Sequence, residues 1–151
     1  MNINHTTIKE RKTIKQALKL FNSNATISEY IKRGWTYNRQ GSFKRVFIKN
    51  NIVVKIGPMD QMISEELRWK RAKKSNKKYL ARVFGRVKNM LIQRKVKVCN
   101  KSWNCKIAEA IATKLNLEDW GRNHGHSENG TPIFFDCSMT KRMIENGYFC
   151  V

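Results

Sequence analysis

A chain of 151 residues has the length of one domain with one core. Hydrophobic residues make up 40%, which places it outside the composition range of disorder, although 31 Lys and Arg against 11 Asp and Glu leave a net charge of +20. Apolar runs such as Ile52 to Val54 and Ile133 to Phe135 are far too short to cross a bilayer, which argues against a helical span.

The cations run from Lys9 to Lys141 and Arg142 rather than forming one tail. Such a surface steers anionic partners toward it: nucleic acid, an acidic protein or a nucleotide phosphate. Its plainer reading is a lysine-rich solvated surface that binds polyanions weakly. Four Cys (Cys99, Cys105, Cys137, Cys150) have uneven spacing and no C-x-x-C, and no apolar leader precedes the first polar helix. Free thiols in a reducing, cytoplasmic setting are the expectation.

In chain order, Ile8, Ile14, Leu18 and Phe21 form a stripe on a basic helix over 7–22, expected at the domain surface. Thr26 and Glu29 have capping-box spacing and Gly34 offers a stop, which predicts a short helix over 26–33. After Trp35 the pattern turns β-rich: Phe43 to Ile48 and Ile52 to Ile56 read as a hairpin about Asn50-Asn51, ended by Gly57-Pro58. Residues 60 to 74 return to helical spacing, with Asp60 as N-cap and Glu65, Glu66 and Trp69 on neighbouring faces. Two strands follow, Leu80 to Val87 and Met90 to Val98, linked by Lys88-Asn89. A helix over 102–115 opens at Ser102 and carries Trp103, Ile107, Ala110, Ile111 and Leu115. A loop over 116–122, a short strand around Asn123 to Gly125, a turn over 127–130 and a strand from Ile133 to Phe135 complete the pattern, and the last strand ends at Asp136.

Several joints carry chemistry. Gly41-Ser42-Phe43-Lys44-Arg45-Val46 opens the first β run. Val53-Val54-Lys55-Ile56 puts a Lys between β-branched neighbours, and facing inward it would need a carboxylate, which the next helix offers in Glu65 or Glu66. Glu65 is preferred, because Trp69 four residues on packs on the same face. Met90-Leu91-Ile92 leads into Gln93-Arg94-Lys95. Asn123 and Asp136 flank a small hairpin that turns at Asn129-Gly130. Over about residues 35 to 140, this order resembles the protein-kinase fold reduced nearly to its nucleotide-binding core, and small phage-encoded Ser/Thr kinases in particular.

The resemblance implies an α+β fold with a small antiparallel sheet lobe, a helix C and a truncated helical lobe. Residues 1–34 would be an N-terminal helical extension and 35–151 the kinase-like core, one compact domain overall. It implies ATP and Mg²⁺ as cofactors. Gly41, Ser42 and Lys44 would belong to the phosphate loop, Lys55 would hold phosphates oriented by Glu65, and Gln93 and Lys95 would lie at the adenine hinge. Asn123 and Asp136 would bind the metal, since hard oxygen ligands suit Mg²⁺. Glu118, or Asp119 one residue closer to Asn123, would orient the accepting hydroxyl. Departures from the pattern are Arg39 and Lys44 in place of glycines, and Asp136-Cys137-Ser138 in place of D-F-G.

The function implied is an ATP/Mg-dependent phosphotransferase, a minimal Ser/Thr protein kinase or autokinase acting in a host cytoplasm during phage takeover. Its alternative is a catalytically degenerate relative that uses the basic surface to grip an acidic partner or nucleic acid. A simple nucleic-acid binder using cations and four Trp is a third. A zinc site on His124, His126, Cys137 and Cys105 is a further, weaker option, because no C-x-x-C accompanies the H-x-H pair.

Overall fold

The computed structural model describes residues 1–38, 44–97, 105–117, 124–127 and 129–135. It is an α+β protein with four α-helices, a five-stranded antiparallel sheet and a separate two-stranded hairpin among those residues. The chain divides into two compact units, Met1–Met62 with Val83–Lys95, and Ile63–Arg82 with Val96–Val151.

The first unit begins with α1 (Ile8–Asn22) and α2 (Ile27–Lys32). Both open with a capping box. The Thr7 hydroxyl accepts the Glu10 N–H while the Glu10 carboxylate accepts the Thr7 N–H, and Thr26 and Glu29 repeat the exchange. Both also end alike. A residue at positive φ, Asn24 (51°) or Gly34 (84°), reverses the chain, and the next N–H bonds back to Leu20 or Tyr30.

The sheet follows as β1 (Thr36–Asn38), β2 (Arg45–Lys49), β3 (Ile52–Ile56), β4 (Val83–Val87) and β5 (Met90–Arg94), in spatial order β1-β2-β3-β5-β4. Asn50 and Asn51 both lie at positive φ, the requirement of a two-residue hairpin turn, so Lys49 pairs with Ile52 and Val46 with Lys55. Alternation then sorts β3 into two faces. Ile52, Val54 and Ile56 point into a core shared with Ile14 and Ala17 of α1, Tyr30 of α2, and Phe47, Phe84, Met90 and Ile92. Val53 and Lys55 point the other way.

A polar stripe along α1 fastens this helix to the β2–β3 hairpin. Asn51 donates to Glu10 at 2.9 Å, Asn50 donates to Thr13 at 3.0 Å, and Gln16 accepts from both Lys49 and the Trp35 indole. Thus the two asparagines that satisfy the turn's backbone also bind the helix. Glu10 is only 5% exposed and lies 3.5 Å from Arg94 at the end of β5. Burial alone would raise its pKa, but the Thr7 N–H, the Asn51 amide and the Arg94 guanidinium outweigh it and hold the carboxyl below the ordinary 4.5.

α3 (Met59–Arg71) contributes its first turn to the first unit and the remainder to the second. Asp60 is not the N-cap predicted for it. The helix starts one residue earlier, with the Met62 N–H bonded to the Pro58 carbonyl, so Asp60 sits in the first turn, where a negative charge suits the helix dipole. Other boundaries moved too. The strand expected from Leu80 begins at Val83, because Leu80 bridges Phe134 and the Ala81 N–H donates to the Phe134 carbonyl at 2.7 Å. The strand expected through Val98 ends at Arg94, where its partner β3 begins at Ile52. β1 was not predicted.

In the second unit, a 3₁₀ turn (Lys77–Tyr79), α4 (Cys105–Lys114), β6 (His124–His126) and β7 (Pro132–Phe134) join the rest of α3. Ala72, Leu80, Ala108, Ala112, Leu115, Leu117 and Phe134 form the core, flanked by Trp69 and Tyr79. α4 ends as α1 and α2 do, with Asn116 at φ 51° and the Leu117 N–H on Ala112. Arg68, 2% exposed, donates to the Leu115 carbonyl at 3.1 Å, which places a cation on the negative end of α4. Gly125 is required by packing, since a Cβ there would overlap the Lys97 carbonyl oxygen and meet Val96 Cγ1 at 2.6 Å.

Candidate functional site

Lys55 occupies the central strand of the five-stranded sheet and is 4% exposed. Across the ladder it pairs with Val46 of β2 and Leu91 of β5, and Val53 pairs with Gln93. These side chains therefore share the face that turns away from the α1 and α2 core. Leu91 is fully buried and Gln93 is 4% exposed, so the face is as sequestered as the core while carrying an ammonium and an amide.

Lys44, half-buried, precedes β2, and Lys95, exposed, follows β5, its N–H bonded to the Asn51 carbonyl at 2.9 Å. On the sheet itself Lys55 lies toward the Arg45/Ile56 end and Gln93 toward the other. At about 3.3 Å per residue, the four-residue step from Leu91, level with Lys55, to Lys95 covers roughly 13 Å.

In the second unit, α3 carries Glu65, 4% exposed, and Glu66, which Lys70 meets at 3.5 Å one turn on. Glu65 is the more buried residue of the two, and Glu66 is engaged by a largely exposed lysine. Arg68, the buried cation of this helix, had no sequence signal beyond lying in a basic run.

The remaining expected site residues, Gly41, Ser42, Glu118, Asp119, Asn123 and Asp136, lie outside the described residues, as does Arg39. The hairpin next to two of them is described. His124 pairs with Phe134, which brings the start of β6 beside the end of β7, and Asn123 and Asp136 adjoin those ends in sequence. His124 and His126 lie on one face with ring centroids 5.8 Å apart, as the H-x-H spacing predicts. Burial, and to a lesser degree the neighbouring His124, lower the pKa of His126. Among the described residues no three His, Cys, Asp or Glu side chains gather as a metal site; Cys137 and the Cys105 side chain fall outside them. Nor, among those residues, is any helix long and apolar enough to cross a membrane.

No protein-family model matches this chain, and no curated protein matches it significantly.

Proposed function

We propose that the chain is an ATP- and Mg²⁺-dependent phosphotransferase of protein-kinase-like fold, acting on Ser or Thr hydroxyls of a protein or of itself. The observation that carries this reading is the burial of Lys55 on the central strand, on the non-core face that also holds Leu91 and Gln93. A buried ammonium on a central strand costs stability, so its placement there calls for a function. A phosphate is an anion that suits the Lys55 ammonium, while Val46, Val53 and Leu91 suit the ring of a nucleotide base. Further support comes from the order of elements: a β1–β2 connection that contains Gly41 and Ser42, Lys55 on the third strand, then a helix with buried Glu65.

In this reading Lys55, with Gly41, Ser42 and Lys44, holds the phosphates, Gln93 and Lys95 border the base, and Glu65 keeps the role that the kinase resemblance gives it. Asn123 and Asp136 supply oxygen ligands of the type Mg²⁺ takes, and that ion would neutralise phosphate charge. Glu118 or Asp119 orients the hydroxyl. Phosphoryl transfer depends mainly on positioning and charge stabilisation, which these residue types provide.

The test incubates purified protein with γ-labelled ATP and Mg²⁺ beside Lys55→Ala and Asp136→Ala. Label transfer to the protein or to an added acidic protein, abolished by both substitutions, is expected. Thermal stabilisation by ATP without transfer would reduce the function to nucleotide binding. Neither transfer nor stabilisation would end the proposal.

A further inference from the structure

We infer that the second unit carries a docking surface for a nucleic-acid phosphodiester backbone, built from the end of α3, the 3₁₀ turn and the β6–β7 turn. The stretch Arg68-Trp69-Lys70-Arg71-Ala72-Lys73-Lys74-Ser75-Asn76-Lys77-Lys78-Tyr79 holds seven cations and no acid. Arg68 is consumed inside, on the Leu115 carbonyl, and Lys70 is shared with Glu66. Arg71, Lys73, Lys74 and Lys78 are exposed and Lys77 half-buried, so a dense row of cations faces solvent.

Two of these lysines are held in place rather than dangling. Lys77 Nζ lies 5.1 Å from the centroid of the Trp69 ring and Lys78 Nζ 5.0 Å from that of Tyr79. Lys78 also lines an open recess of about 520 Å³ together with Ser127, Asn129 and Thr131 of the β6–β7 turn. Within that turn the Asn129 carbonyl oxygen is engaged by the Ser127 hydroxyl and, at 3.3 Å, by the Thr131 N–H. The donor Asn129 retains for a ligand is its amide NH₂. Ammonium, amide and hydroxyl groups around a recess are the donors that most often meet nucleic-acid phosphates. The cation row extends beyond the recess, which fits a ligand with evenly repeated charges such as a phosphodiester chain. Glu128, the one acid of the turn sequence, lies outside the described residues.

The surface is independent of the nucleotide proposal and is tested without ATP. Fluorescence anisotropy with labelled oligouridylate, oligothymidylate and a duplex would be recorded across a salt series. The triple variant Lys73→Gln, Lys74→Gln, Lys78→Gln is compared with Lys9→Gln, Lys12→Gln, Lys15→Gln, which removes three exposed charges from α1 instead. The first variant is expected to bind about tenfold or more weakly near physiological salt and to flatten the logarithmic salt slope by about 2, since each phosphate contact on a single strand contributes about 0.7. The α1 variant should lose much less. Asn129→Asp, which sets a carboxylate at the recess, should also weaken binding. Equal losses in the two triple variants would show that only total charge matters and would overturn the assignment. So would absence of binding to all three probes, or competition by polyglutamate as effective as by an oligonucleotide of the same charge.

Discussion

Glu10 offers the sharpest test of how the sheet that carries Lys55 is held. Its carboxylate accepts the Thr7 N–H at 2.8 Å and the Asn51 amide at 2.9 Å, with Arg94 at a longer 3.5 Å. Hydrogen bonds to a charged group contribute about 1.5 kcal/mol or more each when buried, and Arg94 is partly exposed and can rehydrate. Glu10→Ala should therefore cost about 3 kcal/mol. For a chain of this size that corresponds to a fall in Tm of about 6–12 °C, measured by circular dichroism or calorimetry. Glu10→Gln keeps the shape and one accepting oxygen but sets an amide donor against a donor, so about half that loss is expected.

The molecule contains its own control. Glu29 occupies the same capping-box position in α2 but is exposed, so Glu29→Ala should cost clearly less than Glu10→Ala. The pH dependence follows from the direction of the Glu10 shift. Because its folded pKa lies below 4.5, the unfolded chain takes up the proton first as pH falls. The stability due to ionised Glu10 is complete above the unfolded value and is lost as pH drops through the folded one. The deficit of Glu10→Gln relative to wild type should accordingly shrink below pH 4.5. Equal losses for Glu10→Ala and Glu29→Ala, or a Glu10→Gln deficit unchanged at acid pH, would refute the argument.

Other substitutions test separate parts of the fold. The Tyr30 hydroxyl is buried without a hydrogen-bond partner among the described residues while its ring stacks on Phe47 at 4.0 Å, so Tyr30→Phe should raise stability by up to about 1 kcal/mol in a denaturant titration; a loss would mean the hydroxyl is satisfied. Gly125→Ala forces a methyl onto the Lys97 carbonyl and should cost about 2 kcal/mol or more by thermal melting, whereas a neutral result would show that the 96–97 backbone can withdraw. Lys88 lies at φ 50° in the β4–β5 turn, so Lys88→Gly should stabilise by about 0.5 kcal/mol in the same titration, relief of the left-handed penalty exceeding the added unfolded-state entropy; destabilisation would count against that balance. With its pKa lowered, His126 is held neutral in the folded state while the unfolded chain takes up the proton first. Stability should therefore fall as pH drops below 6.5, and His126→Gln should flatten that part of the profile.

What the sequence shows most clearly is what its neighbours in the chain decide. Thr7, Thr26 and their partners three residues on mark both N-termini, and Asn50-Asn51 marks a two-residue turn, because caps and turns are local. That turn also sets Val46 opposite Lys55. By contrast, β1 has only three residues and no alternation to betray it, and the Leu80 strand is overextended because Phe134, more than fifty residues away, claims its first residues. The helix stops at Asn24 and Asn116 are harder to read than Gly34, since Asn serves many turns while Gly at a helix end has few other uses. Nothing local announces that Asn50 and Asn51 reach back to Thr13 and Glu10.

The two faces of β3 draw these threads together. Ile52, Val54 and Ile56 need a core, and α1 and α2 supply it, so the N-terminal helices complete the sheet's apolar side. Val53 and Lys55 then inherit the opposite side, where Lys55, Gln93 and Leu91 are just as buried. If that side served packing alone, a leucine or methionine at position 55 would fill it without the desolvation cost of an ammonium. The buried lysine on the central strand is therefore the residue on which the proposed phosphotransferase stands or falls, and the Lys55→Ala labelling comparison is its direct test.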